Sequence, residues 1–199
     1  MMNQLISLLG ERHTIYALGS HISVSDKKIE GIVQDALSYT PSAFNSQTAR
    51  AVVLLGVQHK KLWEIVRNTL RLIVPKDQFA VTDKKINGFS AGYGTVLFFE
   101  DQAVVAALKE DFAVYADKFD GFSTQSSGMV QFNVWLALSL EGLGASLQHY
   151  NPLIDEEVRN NWQLPNSWLL MSQLVFGEKL APAEEKSFVP MAERFRVFK

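Results

Sequence analysis

One stretch decides the organisation of this chain: Thr40-Pro41-Ser42-Ala43-Phe44-Asn45-Ser46-Gln47-Thr48-Ala49-Arg50. It lies between a predicted amphipathic helix and a predicted apolar strand, and it combines small hydrogen-bonding side chains with one aromatic ring and one arginine. A connection between two elements of a compact domain needs only about 2–6 residues, so this stretch is longer than a connection requires. Polar loops on a rigid scaffold often bind ligands. A well-capped turn is the other interpretation, and the stretch alone leaves both open.

The two elements beside this stretch have clear signals. Ser25 and Asp26 are the residue types expected at a helix N-cap and in an acidic first turn. The apolar residues that follow at helical spacing are Ile29, Ile32, Val33, Ala36 and Leu37. Pro41 ends this helix, because the residue before a proline is disfavoured in the helical region. Residues 51–56 form a continuous apolar run rich in β-branched side chains, which predicts a buried strand.

The other elements follow from apolar periodicity and turn signals. We predict further helices at residues 4–9, 59–73, 101–119, 126–143 and 155–162. We predict further strands at residues 95–99, 145–150 and 168–176, with a long loop or a short helical piece at residues 76–94. Because the first two helices precede any strand, the order favours an α+β fold over a doubly wound parallel sheet. The helix at residues 126–143 is apolar on more than one face, which predicts burial by the domain or by a second subunit.

Composition limits the class of protein. The chain has 199 residues, of which 47% are hydrophobic and 20% charged, with no cysteine and a formal net charge of −2. These values predict a single globular domain over residues 1–199 and give no reason to expect nucleic acid as a partner. The lack of cysteine excludes disulfides and thiol chemistry. With no signal-peptide pattern and no apolar run near the ~20 residues of a membrane span, we expect a cytoplasmic protein with no membrane partner.

The usual signatures of metal or nucleophilic catalysis are missing. The four histidines are His13, His21, His59 and His149. None has the spacing of a metal site, so we predict no metal ligands. No serine lies in a G-x-S-x-G motif, and we predict no catalytic side chain. The glycine clusters at residues 92–94 and 142–144 precede a strand or follow a helix, whereas a phosphate-binding glycine loop follows a strand and opens a helix.

Two groups of basic residues at opposite ends of the chain are candidates for binding an anion. Arg12 and His13 lie near the N-terminus, and Arg194 and Arg196 lie near the C-terminus. The planar guanidinium of arginine matches phosphate oxygens and keeps its charge. An arginine taken alone is more often a surface residue than a ligand-binding one.

Several of these segments together carry a resemblance to a known family. Arg12-His13-Thr14 resembles the N-terminal R-[RH]-[ST] motif of the FMN-dependent nitroreductases, and residues 41–47 resemble their P-S-[SA]-x-N-x-Q motif. Residues 142–151 are similar to the Gly-Leu segment that leads into the strand over the flavin, and Arg194 and Arg196 match a basic pair near the C-terminus. Four motifs in order span nearly the whole chain. The residues of these segments most resemble those of a short subgroup that includes yeast fatty-acid-repression-mutant-like nitroreductases and bacterial quinone/nitro reductases.

The resemblance implies an α+β fold with a mostly antiparallel sheet flanked by helices, in an intertwined homodimer that binds one FMN per subunit. It implies that Arg12, His13 and Thr14 hold the phosphate and ribityl chain, with Arg194 and Arg196 completing the phosphate contacts. Tyr16 takes a position that is often basic in the family. The remaining implied flavin contacts are Ser42, Asn45 and Gln47 from the partner subunit, and Leu147, Gln148 and His149 beside the ring. The cation near flavin N1 and O2 would be Lys84 or Lys85, with Arg50 as an alternative.

The function implied by this resemblance is reduction of a flat, electron-poor acceptor, such as a nitroaromatic or a quinone. NADH or NADPH would donate a hydride to bound FMN and leave before the acceptor enters, in a ping-pong cycle. The cofactor carries such chemistry, so no protein nucleophile is needed. A non-enzymatic or weakly active FMN-binding protein with a regulatory role in redox or lipid signalling is the alternative. A structural dimerisation domain without cofactor is a third interpretation.

Overall fold

A computed structural model describes residues 3–199 of the chain. Over this range the α-helices are α1 Gln4–Glu11, α2 Asp26–Tyr39, α3 Gly56–Ile73, α4 Phe79–Ser90, α5 Gln102–Asp111, α6 Phe119–Leu140, α7 Asp155–Trp162 and α8 Met191–Arg194. The strands are β1 Leu18–Gly19, β2 Ala49–Leu55, β3 Gly94–Asp101, β4 Gly144–Gln148 and β5 Trp168–Lys179. Two short 3-10 helices cover Ala43–Asn45 and Ala113–Lys118.

The five strands form one sheet in which every ladder is antiparallel. β2 pairs with β3, and β3 pairs with one edge of β5. The other edge of β5 pairs with β4 and, at its end, with the two residues of β1. This arrangement confirms the predicted α+β class and the mostly antiparallel sheet.

Alternation along the strands divides the core into two layers. Val96 and Phe98 face one side of the sheet, where α2 and α6 pack. Leu97 and Phe99 face the other side, where α3, α4 and α7 pack. Successive residues of a strand point to opposite faces, so a continuous apolar run of the kind found in β3 indicates a sheet covered on both sides. The layers are therefore helix, sheet and helix.

The local signals of helix α2 are confirmed. The Ser25 side chain accepts a hydrogen bond from the backbone N–H of Lys28, and the helix ends at Tyr39, two residues before Pro41. Asp101 caps α5 in the same way by accepting from the N–H of Ala103. Such caps satisfy backbone donors that have no partner inside the helix.

Of the two alternatives for residues 76–94, the helical piece is confirmed: it is the 12-residue helix α4, which buries Ile86 and Phe89. Other predicted boundaries were wrong. The helix predicted at residues 101–119 ends at Asp111, because the backbone of Phe112 leaves the helical region with φ −124° and ψ 57°. Phe112 itself is 40% exposed.

Three further corrections concern β1, β5 and α6. Strand β1 comes between the first two helices, so these helices do not both precede the sheet. Strand β5 continues beyond Gly177, because glycine there lets the backbone pass close to β1: a Cβ would lie 2.3 Å from the carbonyl oxygen of Gly19. Helix α6 begins at Phe119 rather than at residue 126, since its first turns are rich in small polar residues that hide the apolar period.

Candidate functional site

The segment that follows α1 runs beside strand β4. Thr14 forms an isolated parallel bridge with Ala145, and the N–H of Ile15 donates to the carbonyl oxygen of Ala145 at 3.0 Å. This pairing brings the predicted residues 12–16 next to the strand that carries Leu147 and Gln148. Two of the motifs found in the sequence are thus neighbours in the structure.

Arg12 is the most unusual residue of this segment. Its guanidinium carbon lies 4.4 Å from the centroid of the Trp135 ring and 5.9 Å from that of Phe132, both on α6. Its Nε is buried and has no hydrogen-bond acceptor within residues 3–199. Burial also lowers the pKa of Arg12. A buried guanidinium N–H without an acceptor is costly, and an anion such as a phosphate would satisfy it.

Tyr16 and Lys85 meet at a cavity of about 480 Å³ between residues 16–17 and helix α4. The cavity residues are Tyr16, Ala17, Val81, Lys84, Lys85, Gly88 and Phe89. The volume is within the range of small-molecule sites, and an apolar wall with two amines suits a ring system that carries polar edges. The Nζ of Lys85 lies 5.6 Å from the ring centroid of Phe89. Both lysines named from the sequence are therefore on this cavity.

The predicted residues of and around β4 differ in accessibility. The Gln148 side chain is buried and donates from Nε2 to the hydroxyl of Ser146 at 2.6 Å. Leu147 is half-buried, whereas His149 is exposed just beyond the strand. His13 lies near the carbonyl oxygen of Gly10, with Nε2 at 3.1 Å. The most accessible of these side chains is His149.

The loop at residues 40–50 has an unusual backbone. Phe44, Asn45 and Gln47 have φ values of 57°, 51° and 48°, in the left-handed region that non-glycine residues rarely adopt. Ser42 steadies this path, because its hydroxyl accepts from the N–H of Gln47 at 2.9 Å. Backbone strain of this kind persists only where neighbouring groups hold it, and it is concentrated at functional sites. The loop therefore has a defined, internally hydrogen-bonded conformation and is more than a simple turn.

Arg50 closes the loop. One nitrogen, Nη1, donates to the carbonyl oxygens of Gln47 at 2.7 Å and Ala49 at 3.0 Å. The other, Nη2, forms an ion pair with Asp101 at 3.1 Å. These bonds engage Arg50 within its own loop and strand β3. Lys84 and Lys85 line the cavity of about 480 Å³ instead.

The loop has a polar cavity on one side and an aromatic cluster on the other. A cavity of about 210 Å³ is lined by residues of the loop, including Ser42, Gln47 and Arg50, and by Ser126 of α6. The aromatic cluster consists of Phe44, Phe112, Tyr115 and Phe119, with the ring of Phe44 4.8–5.8 Å from the other three. We did not predict this cluster. The sequence signal is the aromatic spacing at positions 112, 115 and 119.

The C-terminal arginines stay apart from the N-terminal motif in the single chain. Arg194 and Arg196 lie on an exposed tail, and Nη1 of Arg196 donates to the carbonyl oxygens of Ala192 and Phe195. The tail does reach Arg12 at another point, because Nζ of Lys186 donates to the carbonyl oxygen of Arg12 at 3.1 Å.

The described residues show neither a metal cluster nor a membrane-spanning helix. Within residues 3–199 there is no group of three or more His, Asp or Glu residues arranged to hold a metal ion. Over the same residues, no helix is both long enough and apolar enough to span a membrane.

Comparison with known proteins gives the family. The nitroreductase family matches residues 9–178. The chain belongs to this family. The resemblance found in the sequence is thereby confirmed, and the family is one of oxidoreductases. The Saccharomyces cerevisiae protein HBN1 is 38% identical over 186 residues, and nitroreductase FRM2 of the same yeast is 34% identical over 186 residues. Each alignment covers 92% of this chain and 92% of the yeast protein.

The nitroreductase fold is equally clear in solved structures. The nitroreductase CinD from Lactococcus lactis, in a complex with chloramphenicol, superposes with a TM-score of 0.90. It is 50% identical, and the match covers 98% of this chain and 100% of that chain. The chain thus has the nitroreductase fold over nearly its whole length.

Proposed function

We propose that this nitroreductase is an FMN-dependent oxidoreductase that uses NADH or NADPH to reduce nitroaromatics or quinones. The observation that carries the proposal is that one short segment bears two features: the buried Nε of Arg12, which has no acceptor, and Tyr16, which lies with Lys85 on a cavity of about 480 Å³. An anion-binding group and a ring-sized cavity on the same segment suit a nucleotide with one phosphate and one planar ring.

The chemical types of the site residues suit the parts of FMN. Arg12, His13 and Thr14 would hold the phosphate and ribityl chain, and the unsatisfied Nε of Arg12 gives that phosphate a partner. Tyr16 and Lys85 would border the ring at its polar edge, where a positive charge stabilises a reduced, anionic flavin. Leu147, Gln148 and His149 would line the remaining side. Arg194 and Arg196 would contact the phosphate only if the C-terminal tail takes a different position in the assembled protein.

We propose that the assembled protein is a homodimer. On α6, 40% of Met129, 38% of Phe132 and 56% of Leu140 is exposed in the single chain, although this helix packs along the core with its other face. The tail adds Phe195 and Phe198, which are also exposed. A second copy that covers these surfaces would bring Ser42, Asn45 and Gln47 of one chain to the FMN of the other, as the resemblance implies.

FMN held by these residues would supply the hydride-transfer chemistry between NADH or NADPH and an acceptor, and we expect a ping-pong order in which the nicotinamide leaves before the acceptor binds. The residues of the chain then bind and orient the reactants. In the aromatic cluster around Phe44, the half-exposed ring of Phe44 offers an aromatic face against which a planar acceptor could pack. CinD, the solved relative, has been captured with chloramphenicol and with 4-nitrophenol, both of which carry a nitroaromatic ring. We expect the same class of acceptor here, and a cytoplasmic location.

Steady-state assays of the FMN-loaded protein test this proposal. NADH and NADPH are each supplied with a nitroarene, such as 4-nitrophenol, and with a small quinone. Turnover with parallel double-reciprocal plots supports the ping-pong oxidoreductase. Tight FMN binding without turnover of any acceptor instead supports the alternative, a regulatory FMN-binding protein. A protein that does not bind FMN at all overturns both.

A further inference from the structure

A carboxyl group lies buried at the point where the loop of residues 40–50 meets the sheet. Glu100 of β3 is only 1% exposed, and in the antiparallel ladder it pairs directly with Ala49, the first residue of β2. A buried carboxyl group is destabilising unless hydrogen bonds or opposite charges compensate it, because its ionised form loses its hydration. This residue takes no part in the proposed FMN contacts.

The surroundings of Glu100 connect three elements. The hydroxyl of Ser123, on α6, donates to Oε2 at 2.5 Å. The hydroxyls of Thr48 and Ser127 and the charge of Arg50 also face the carboxyl. Oε1 of Glu100 and the hydroxyl of Thr48 are both buried, and each lacks a hydrogen bond of full geometry within residues 3–199. Because the side chains of Thr48 and of Ser123 face the same carboxyl, Glu100 lies between the end of the loop and α6.

The loop needs such an anchor. Three of its residues, Phe44, Asn45 and Gln47, have left-handed backbones, which stay in place only if the surroundings fix both ends of the loop. Ser42 fixes the first part through the N–H of Gln47. At the other end, the N–H of Asp101 donates to the carbonyl oxygen of Thr48 at 2.9 Å. The carboxyl of Glu100 faces the side chain of the same Thr48.

We propose that Glu100 is a positioning residue for the loop of residues 40–50. It acts through Thr48 and Arg50, and it holds Ser42, Asn45 and Gln47 in the geometry that their proposed contact with FMN requires. This inference rests on the proposed function, because the loop is assigned to the cofactor there. It adds a residue that touches neither the cofactor nor the acceptor.

The test separates positioning from stability. Burial raises the pKa of Glu100 above its ordinary range, so its contribution to stability is lost as the pH rises through that pKa. Glu100→Gln keeps the shape and removes the cost of burying an ionisable carboxyl, so its free energy of unfolding should equal or exceed that of the wild type. Its dissociation constant for FMN should nevertheless rise about fivefold, because the amide offers the loop hydroxyl one acceptor oxygen in place of two.

A second variant and a control make the result specific. Thr48→Val removes the proposed link and should weaken FMN binding by a similar factor. The double variant should be no weaker than either single variant, because the two residues act as one unit. Glu157→Gln makes the same chemical change on α7, away from the loop, and should bind FMN like the wild type.

Each outcome bears on the inference. Unchanged FMN affinity in Glu100→Gln, or additive effects in the double variant, overturns it while the proposed function stands. Weaker FMN binding with an equal loss of unfolding free energy also overturns it, since a purely structural role would then suffice. A wild-type protein that does not bind FMN overturns the proposed function and this inference together.

Discussion

Nη2 of Arg50 and Oδ2 of Asp101 lie 3.1 Å apart, and this ion pair ties the end of the loop to the start of a helix. The same carboxylate accepts, through Oδ1, the N–H of Ala103 that begins α5. The same guanidinium binds the carbonyl oxygen of Gln47 inside the loop. Two charged residues thus join the loop, β3 and α5, and both are largely shielded from water.

Arg50→Ala should lower the free energy of unfolding by about 1–3 kcal/mol, because it leaves a shielded carboxylate and a loop carbonyl without their donor. Asp101→Asn should cost less, since the amide oxygen still caps α5. Urea unfolding at fixed protein concentration measures both changes. Arg71→Ala, which removes an exposed arginine from α3, is the matched control and should stay within about 0.5 kcal/mol of the wild type. Equal stability of Arg50→Ala and this control would refute the role of the ion pair.

Arg12→Ala should raise the dissociation constant for FMN about 10- to 150-fold, as expected for the loss of a charged hydrogen bond of about 1.5–3 kcal/mol. Arg12→Lys should recover only part of the affinity, because an ammonium lacks the planar fork and stacks less well on Trp135. Quenching of flavin fluorescence measures each constant. Arg196→Ala tests the tail in the same assay. If both alanine variants bind FMN with wild-type affinity, the proposed phosphate contacts are refuted.

His59 gives a prediction that does not depend on the cofactor. It is buried against Thr95, with Nδ1 2.9 Å from the hydroxyl, and burial lowers the pKa of His59 to about 4. Between that value and the ordinary pKa of about 6.5, the unfolded chain binds a proton that the folded chain refuses. The free energy of unfolding should therefore fall as the pH drops through this range, by about 3 kcal/mol at most.

Urea unfolding at several pH values checks the His59 prediction. His59→Gln should lose this part of the pH dependence, since glutamine does not titrate. The control, His21→Gln, removes a histidine whose side chain is 94% exposed, and it should unfold with the pH dependence of the wild type. An unaltered slope in His59→Gln would show that another group titrates.

The elements predicted well are those in which local signals and burial agree. Helix α2 has a serine cap, an apolar stripe and a proline stop, and β3 is a continuous apolar run. Helix α4 was predicted only as one of two alternatives, because its buried face depends on Ile86 and Phe89, which leave no regular period in the sequence. Strand β1 has only two residues and exists because β5 passes beside it. Tertiary pairing of this kind has no local signature.

The residues of the candidate site also differ in how well the sequence predicted their places. Within one chain, Thr14 and Ile15 pair with Ala145 of β4, and Tyr16 lies with Lys85 on one cavity. The aromatic cluster was missed because Phe112 leaves the predicted helix and turns its ring toward Phe44. Arg194 and Arg196 belong to an exposed tail, and their predicted contact with the phosphate stays a prediction.

The most direct test of the central claim, a flavin held by this chain and reduced by a nicotinamide, is an anaerobic absorption titration. The purified protein is loaded with FMN, freed of unbound flavin and titrated with NADH or NADPH. We predict that the flavin absorption band stays with the protein, bleaches with about one equivalent of reductant per chain and returns when 4-nitrophenol or a quinone is added. A colourless protein after loading, or a bound flavin that neither nucleotide bleaches, would contradict the account.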